Sequence, residues 1–376
     1  SKEAVGRVLV PAARGLFWDL TQRDEQGCLR PLDYAAPHFT KFDVAFLEQE
    51  LRDYPDRGLL SHLRSGVSFQ VDLGMTFVLF PHLVSLEGGF AGVDKEVWKH
   101  VETGRFEVSE VIPTFPMRAH GRGSTPRKLE DRPRPTTDGG QPRQPLRRPG
   151  GGFYDIQSLN DAIVAGGFLP KEVKPRTEDK MMNDAILIHA GRFVFKEPVF
   201  QFTDDCRNFF MQFGLAPHEY PWSHFVWVNN AGRAVIVRER VLGFGVSASS
   251  NIAQRFAWAL MDILARWFDA EEAAYWASLP SGSPEAQWRD ERRRLSERTG
   301  REQVRLWSAM MYTDDPCFTV VGVDRAVRLL RTWRRLTTAV GLEMSIPEKR
   351  LLGADVTWLG VRHNSALGVA VIPQEK

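Results

Sequence analysis

An α+β fold, with an antiparallel sheet and helices on one face, is predicted by the order of hydrophobic patterns in residues 193–361. Two apolar runs at 224–239 flank an Asn-Asn-Ala-Gly turn, which predicts a β-hairpin. Residues 249–268 repeat apolar side chains at helical spacing. Two more apolar runs, at 304–323, meet at a Thr-Asp-Asp-Pro stretch, which predicts a hairpin with acids at its tip.

The first half of the chain predicts fewer regular elements. Residues 42–51 carry apolar side chains that favour a helix. A Gly-rich approach to Asp94 predicts a second helix with Asp94 as its N-cap. An apolar run at 193–203 predicts a strand that ends directly on Asp204-Asp205.

Two further helices are predicted near the C-terminal end. Residues 280–301 are polar and charged, and they favour a loop followed by an exposed helix. Residues 324–340 are amphipathic, and Gly341 should end that helix. The outward face of the second helix should carry an arginine row, Arg328, Arg331 and Arg335.

Composition is that of an ordinary globular protein: 43% of the 376 residues are hydrophobic and 26% are charged. This excludes a mainly disordered chain. No run approaches the roughly 18 consecutive apolar residues of a membrane span, so no membrane partner is expected. The three cysteines, Cys28, Cys206 and Cys317, show no metal spacing and predict reduced thiols in an intracellular protein, cytoplasmic or nuclear.

Residues 117–150 differ sharply from their surroundings, with nine Arg or Lys against three acids and many Pro and Gly. This composition predicts neither long helices nor central strands. Two interpretations stay open: a disordered linker, or a mobile basic loop that grips phosphates.

Three carboxylates could carry chemistry. Asp204 closes a predicted strand, and Asp314 and Asp315 lie at a predicted hairpin tip, so they can meet at one edge of a sheet. Carboxylates at such short distances repel one another unless a cation lies among them. Two Mg²⁺ ions among such acids would suit an in-line phosphoryl transfer. The alternative is a solvated turn, because Asp is a common turn residue.

The residues around these acids resemble the motifs of reverse transcriptases. Tyr312-Thr313-Asp314-Asp315 resembles the Tyr-x-Asp-Asp box, and Asp204 with Phe209 resembles the first palm motif, an Asp followed five residues later by an aromatic. Further motifs follow in the expected order over about residues 118–362. Their matching residues are Lys128 and Arg134 in the fingers, Phe244, Gly245 and Gln254 in the Gly-loop motif, Lys349, and the primer-grip box Trp358-Leu359-Gly360.

The resemblance implies a role for each of these residues. Asp204, Asp314 and Asp315 would be catalytic and would hold two Mg²⁺ ions, or Mn²⁺ in their place, with the backbone carbonyl of Asp205 as a further ligand. Lys128 and Arg134 would bind the triphosphate. Phe209 would exclude the 2′-hydroxyl, and Phe244, Gly245 and Gln254 would line the nucleotide pocket. Lys349 would protonate pyrophosphate, and Trp358, Leu359 and Gly360 would support the primer. By residue type alone, the alternatives are core side chains for Phe209 and Trp358-Leu359, an ordinary helix residue for Gln254 and a surface lysine for Lys349.

The implied protein is an RNA-directed DNA polymerase, a nucleotidyltransferase of a eukaryotic retroelement. Its partners would be an RNA or DNA template with primer, deoxynucleoside triphosphates, and other domains of a longer polyprotein. The expected domains are an N-terminal extension leading into fingers (1–116), a basic fingers segment (117–192), a palm (193–362) and a C-terminal tail (363–376), with no complete thumb.

Two other functions fit the same acids. The first is a catalytically decayed retroelement palm that only binds nucleic acid. The second is a Mg²⁺-dependent nuclease. The position of Phe209 and the Gly-loop motif disfavour the nuclease, because a nuclease needs no nucleotide pocket.

Overall fold

A computed structural model describes residues 39–71, 73, 77–109, 117–126, 133–145, 147, 150–154, 156–166, 175–300, 305–346 and 350–372. The chain forms two compact units. Unit 1 comprises Ser1–Lys41, Arg57–Glu172 and Phe210–Ile252, and unit 2 comprises Phe42–Asp56, Val173–Phe209 and Ala253–Lys376. Both units are discontinuous in sequence, whereas the expected domain ranges are consecutive. Segment 210–252, inside the expected palm range, belongs to unit 1 because its strands pair with earlier strands of that unit.

The described residues form a mixed α+β structure. The helices are α1 (Val44–Glu50), α2 (Arg57–Ser65), α3 (Ser85–Glu102), α4 (Leu159–Ala165), α5 (Thr177–His189), α6 (Ser247–Ala277), α7 (Pro284–Thr299) and α8 (Val323–Val340). The strands are β1 (Phe77–Leu79), β2 (Phe106–Ser109), β3 (Met117–Ala119), β4 (Arg122–Thr125), β5 (Arg134–Thr137), β6 (Val199–Thr203), β7 (His224–Val228), β8 (Ala234–Glu239), β9 (Trp307–Tyr312), β10 (Asp315–Val321), β11 (Leu351–Gly353), β12 (Asp355–Trp358), β13 (Val361–Asn364) and β14 (Val369–Val371).

Unit 1 contains a five-stranded sheet in the order β1-β3-β7-β8-β2 and a two-stranded ribbon, β4-β5. The β7–β8 hairpin is confirmed, with His224 paired to Arg238 and Val228 to Ala234. The expectation of no central strand in 117–150 is wrong, because β3 lies between β1 and β7. The reason is local: Met117–Ala119 precedes the Pro- and Gly-rich part of the segment, so its backbone is free to pair on both sides.

Helix α3 begins at Ser85, so the prediction that Asp94 is its N-cap is wrong. The Gly-rich stretch is itself helical. A Cβ atom on Gly89 would lie 2.4 Å from Ser124, and one on Gly92 would lie 2.3 Å from Pro133, so close packing explains the glycines. The apolar face of α3 packs on the sheet in a core formed by Leu86, Phe90, Val93, Val97, Phe106, Met211, Phe225, Trp227, Val235, Val237 and Val241.

Unit 2 contains a four-stranded antiparallel sheet in the order β11-β6-β10-β9, and a three-stranded sheet, β12-β13-β14. The antiparallel pairing is confirmed, but the prediction of helices on one face is wrong. Successive strand residues point to opposite faces. On β10, Thr319 accepts a hydrogen bond from Lys180 of α5, whereas the ring of Phe318 contacts Trp333 of α8. Helices α5 and α8 therefore cover opposite faces of this sheet.

Several predicted elements of unit 2 are confirmed with altered limits. Helix α6 extends to 31 residues, and Gly341 ends α8 with a left-handed φ of 75°. Arg328 does not face solvent freely, because it pairs with Glu272 at 2.6 Å. The strand predicted over 193–203 starts only at Val199, because residues Ala190–Phe195 form a π-helical turn and Lys196 adopts a φ of 59°.

No helix within the described ranges combines the length and the apolarity needed to cross a membrane.

Candidate metal centre

Two segments of unit 2 bring acids to one end of the four-stranded sheet. Strand β6 ends at Thr203, which pairs with Cys317 of β10. The chain after β6 stays beside β10, since the amide of Cys206 donates to the carbonyl of Asp314 at 3.0 Å. Strands β9 and β10 are joined by a two-residue turn, because Tyr312 pairs with Asp315. This pairing sets the end of β6 next to the Asp-Asp turn.

Asp205, Asp314 and Asp315 form a carboxylate cluster, in which one oxygen from each lies within 4.8 Å of the others. All three side chains are half-buried. Three carboxylate oxygens at this spacing match the preference of Mg²⁺ and Mn²⁺ for hard oxygen ligands. The pKa of the neighbouring Cys206 thiol is raised well above its usual value, mainly by burial and further by the surrounding aspartates.

Asp204, which was expected to belong to this set, is occupied elsewhere. Its carboxylate is buried and accepts hydrogen bonds from the indole Nε1 of Trp333 at 3.1 Å and from Nε of Arg350 at 2.9 Å. The two adjacent aspartates therefore differ: Asp204 has a cationic partner inside the fold, and Asp205 joins the cluster. The Asp204-Asp205 dipeptide itself indicated that Asp205 could join the cluster in place of Asp204, since it offers two adjacent carboxylates.

The backbone carbonyl of Asp205, named as a further metal ligand, already accepts a hydrogen bond from the amide of Ser345 at 2.7 Å. The Ser345 hydroxyl also donates to Oδ2 of the Asp205 carboxylate at 2.6 Å. Ser345 was not identified from the sequence. Asp205 therefore contributes to the cluster through its side chain, and Ser345 binds both its backbone carbonyl and its carboxylate.

Gln254, expected in the nucleotide pocket, is 2% exposed on α6. Its Nε2 donates to the carbonyl of Met311 at 3.0 Å, and its Oε1 accepts from the amide of Thr313 at 2.9 Å. Both ends of this amide thus bind the backbone of the β9–β10 hairpin. No sequence motif indicates these contacts.

The expected primer-grip residues lie at the β12–β13 turn. Trp358 is 4% exposed, and its indole Nε1 donates to the carbonyl of Asp315 at 3.1 Å. Leu359 and Gly360 form the turn with φ values of 50° and 82°, and Leu359 is exposed. Two positive φ values in a two-residue turn are typical of the type I′ hairpin.

Phe209 is 2% exposed, and its ring lies 6.2 Å from that of Phe256, which also contacts Phe42. Phe209 is therefore part of the core of unit 2, a position at odds with the expectation that its ring meets a nucleotide sugar. The next residue, Phe210, is half-buried. Its ring centroid lies 4.8 Å from that of Phe244 in unit 1.

The Gly-loop residues of unit 1 contact strand β5. Arg134 stacks over the ring of Phe244 at 4.5 Å, and the amide of Thr137 donates to the Phe244 carbonyl at 2.6 Å. Gly245 has a φ of 99°, and a Cβ atom there would lie 2.0 Å from the Thr137 carbonyl oxygen. The glycine is thus required by a close approach between two backbone segments. Lys128 and Lys349 lie outside the described residues.

No protein-family model and no curated protein sequence matches this chain. Among solved structures, it is similar to the foamy viral protease-reverse transcriptase dRH in complex with ds DNA, at a TM-score of 0.49 and 12% sequence identity. The match covers 92% of this chain and 49% of that one, so this chain spans about half the length of that structure. At this distance the similarity assigns neither a family nor an activity.

Proposed function

We propose that this chain is the core of an RNA-directed DNA polymerase and adds deoxynucleotides to a primer 3′-end at the carboxylate cluster of unit 2. The observation that carries the proposal is the geometry of the cluster: its oxygens, from the end of β6 and the β9–β10 turn, lie within 4.8 Å of one another. The Tyr312–Asp315 sequence at that turn resembles the reverse-transcriptase box, which supports this reaction over other uses of an acidic site.

Asp205, Asp314 and Asp315 are proposed as the ligands of two divalent cations. The donor set fits, because it consists of anionic oxygens, and the soft, buried thiol of Cys206 is not part of it. Mg²⁺ or Mn²⁺ bound there would supply positive charge to the attacking hydroxyl and to the phosphate oxygens. The chain itself supplies a fixed arrangement of carboxylates, so that little reorganisation is needed when substrate binds.

Asp204 is proposed to have a supporting role in place of the catalytic role expected for it. Its bonds to Arg350 and Trp333 balance its charge and fix the end of β6. An unpaired charge on Asp204 beside the cluster would add repulsion. Pairing Asp204 with a guanidinium removes that cost and leaves the charge of the cluster to three residues.

This assignment shifts the first palm motif by one residue. Counted from Asp205, the aromatic five positions later is Phe210, which is half-buried. The core position of Phe209 assigns it a packing role. Phe209→Ala should cost about 3–5 kcal/mol of stability, as expected for a deleted core ring.

Primer extension on an RNA template with Mg²⁺ and deoxynucleotides tests the proposal. Asp205→Asn and Asp314→Asn should each lower the rate by about 10²- to 10³-fold, the usual loss when one electrostatic stabiliser is removed. Asp204→Asn, which keeps an oxygen for Trp333, should retain most of the rate if thermal unfolding shows that it is folded. The reverse pattern, with Asp205→Asn active and Asp204→Asn inactive, would return the catalytic role to Asp204.

The same assay separates the alternatives. Salt-dependent binding of primer-template without extension in Mg²⁺ or Mn²⁺ would indicate a decayed palm. Cleavage of the nucleic acid without added nucleotides would indicate a nuclease. The roles of Lys128, Arg134, Phe244, Gly245 and Lys349 in binding nucleotide stay predictions. Alanine variants of Lys128, Arg134, Phe244 and Lys349 should raise the nucleotide KM if those roles hold.

A further inference from the structure

The turn that carries Asp314 and Asp315 has an unfavourable backbone. Thr313, its first residue, has a φ of 49°. Two-residue hairpin turns with a positive φ at this position normally use glycine, and a β-branched residue in this region is an outlier. Such a conformation persists only where its surroundings hold it. The hairpin therefore needs external contacts to keep its acids in place.

Gln254 supplies two of these contacts. Its amide bridges the carbonyl of Met311 and the amide of Thr313, one on each side of Tyr312. Because Gln254 is 2% exposed and both of its polar ends are bonded, its side chain has one orientation. Helix α6 thus fixes the last residues of β9 and the first residue of the turn.

Trp358 supplies a contact on the other strand. Its indole donates to the carbonyl of Asp315, the first residue of β10. The ring is 4% exposed, so this bond lies out of bulk water and is strengthened by the low local dielectric. The side chains of Gln254 and Trp358, called the two clamps below, therefore hold opposite sides of the Thr313–Asp314 turn.

We propose that Gln254 and Trp358 are positioning residues, which hold the strained β9–β10 turn in the form that binds divalent cations. The inference rests on the proposed function, and it assigns to Gln254 and Trp358 a role other than contact with nucleotide or primer. Loss of either clamp should weaken cation binding and slow incorporation, because the turn can then relax toward a less strained backbone.

Single-turnover incorporation and Mn²⁺ binding followed by electron paramagnetic resonance test the proposal in the full chain. Gln254→Met should lower the incorporation rate and the Mn²⁺ affinity by about 10- to 100-fold, the usual effect of losing a partner that orients a ligand. The nucleotide KM should stay unchanged. A raised KM with an unchanged rate would overturn the proposal and place Gln254 at the nucleotide.

A second substitution guards against a simple folding defect. Asn tolerates a positive φ better than Thr does, so Thr313→Asn added to Gln254→Met should restore part of the Mn²⁺ affinity. Asn251→Leu is the matched control: this buried amide on the same helix has no hydrogen-bond partner within the described part of the chain, and its loss should leave Mn²⁺ affinity unchanged. Because the Thr313 hydroxyl donates to Oδ1 of Asp314 at 2.8 Å, Thr313→Asn alone is measured beside the double variant. If Thr313→Asn alone keeps the Mn²⁺ affinity and the double variant shows no rescue, the strained turn is not what Gln254 controls.

Trp358→Phe tests the other clamp, since it keeps an aromatic ring and removes the donor. The rate and Mn²⁺ affinity should fall, and the Kd for primer-template should stay the same. A weaker primer-template Kd alone would indicate a primer contact and contradict the proposal. If the unsubstituted chain binds no Mn²⁺ and extends no primer, the proposed function itself fails; if it does both and neither variant differs from it, only the clamp inference fails.

Discussion

A buried ion pair of unit 1 and the carboxylate cluster of unit 2 arrange charge in opposite ways. In unit 1, Arg122 and Glu239 are 0% and 1% exposed and lie 3.1 Å apart, and the Arg122 guanidinium stacks over the ring of Phe225 at 4.1 Å. In unit 2, three half-buried carboxylates lie together at the end of a sheet. Opposite charges buried as a pair hold a fold together, whereas like charges kept near water leave room for a cation. The first arrangement balances its charges within the chain, and the second is the one proposed above to bind a cation.

The largest effect should come from breaking the buried pair of unit 1. Glu239→Ala leaves Arg122 charged and buried without its partner, which should cost about 3–5 kcal/mol in the free energy of unfolding measured with urea. Glu107→Ala is the control, because Glu107 also pairs with an arginine, Arg238, but its own side chain is 51% exposed. This substitution should cost less than about 1 kcal/mol. Equal losses would show that burial does not set the strength of these pairs.

A steric substitution near the same pair should have the next largest effect. Gly245→Ala places a Cβ atom 2.0 Å from the Thr137 carbonyl and forces a φ of 99° on alanine. The expected loss is about 2–4 kcal/mol from strain and overpacking together. Gly232→Ala shares the positive φ but meets no atom within 4 Å, so it should cost only about 1 kcal/mol. The difference between the two melting temperatures measures the clash alone.

Acid should destabilise unit 1 through its buried histidines. Burial, followed by the charge of a nearby arginine, lowers the pKa of His82 and His120 to about 4 and that of His224 to about 3. Their folded pKa values lie below the unfolded value near 6.5, so the unfolded chain binds protons first. Their contribution to stability is complete above about pH 6.5 and is lost as the pH falls toward 4.

Each of these histidines should remove about 2 kcal/mol of stability at pH 5 relative to pH 7. His82 shows the reason: its Nδ1 accepts from the amide of Arg122, and its other nitrogen faces the carbonyl of Val226, so a second ring proton has no acceptor. Urea unfolding at the two pH values should give a smaller difference for His82→Gln than for the unsubstituted chain. An unchanged difference would mean that His82 does not titrate in this range.

The smallest effect is expected in unit 2, with the opposite sign. Asp314→Asn removes one charge from the cluster and should stabilise the metal-free chain by about 1 kcal/mol, the Coulomb energy of unit charges about 4 Å apart in water. Mg²⁺ at ten times its Kd should stabilise the unsubstituted chain by about 1.4 kcal/mol. Thermal unfolding with and without Mg²⁺ should show that the variant loses this gain; a variant as responsive as the parent would contradict a cation site here.

The sequence predicted those elements whose signals are local. Helix α6 and the two hairpins have apolar periodicity and turn residues within a short span. Helix α3 was misplaced because its glycines are explained by contacts with Ser124 and Pro133, which come from distant parts of the sequence. The predicted strand before Asp204 starts at residue 193, whereas the observed strand starts at Val199. Nothing in the residue pattern of 190–195 distinguishes a π-helical turn from an extended run.

The candidate site shows the same limit at the scale of one residue. The motifs correctly indicated that acids from two distant segments could lie together. They did not determine which of two neighbouring aspartates joins the Asp-Asp turn, because that depends on the register between Thr203 and Cys317 and on where Arg350 lies. The partners of Gln254 are likewise backbone atoms, which leave no trace in residue identity.

Two neighbouring residues of the same type, Asp204 and Asp205, have different environments and cannot replace each other. Asp204 accepts hydrogen bonds from an indole and a guanidinium. Asp205 accepts one from a serine and lies beside two other carboxylates. A screen of all substitutions at both positions should therefore return two different lists of tolerated residues. Residues able to accept a hydrogen bond should survive at the first position, and only an anionic oxygen donor should survive at the second.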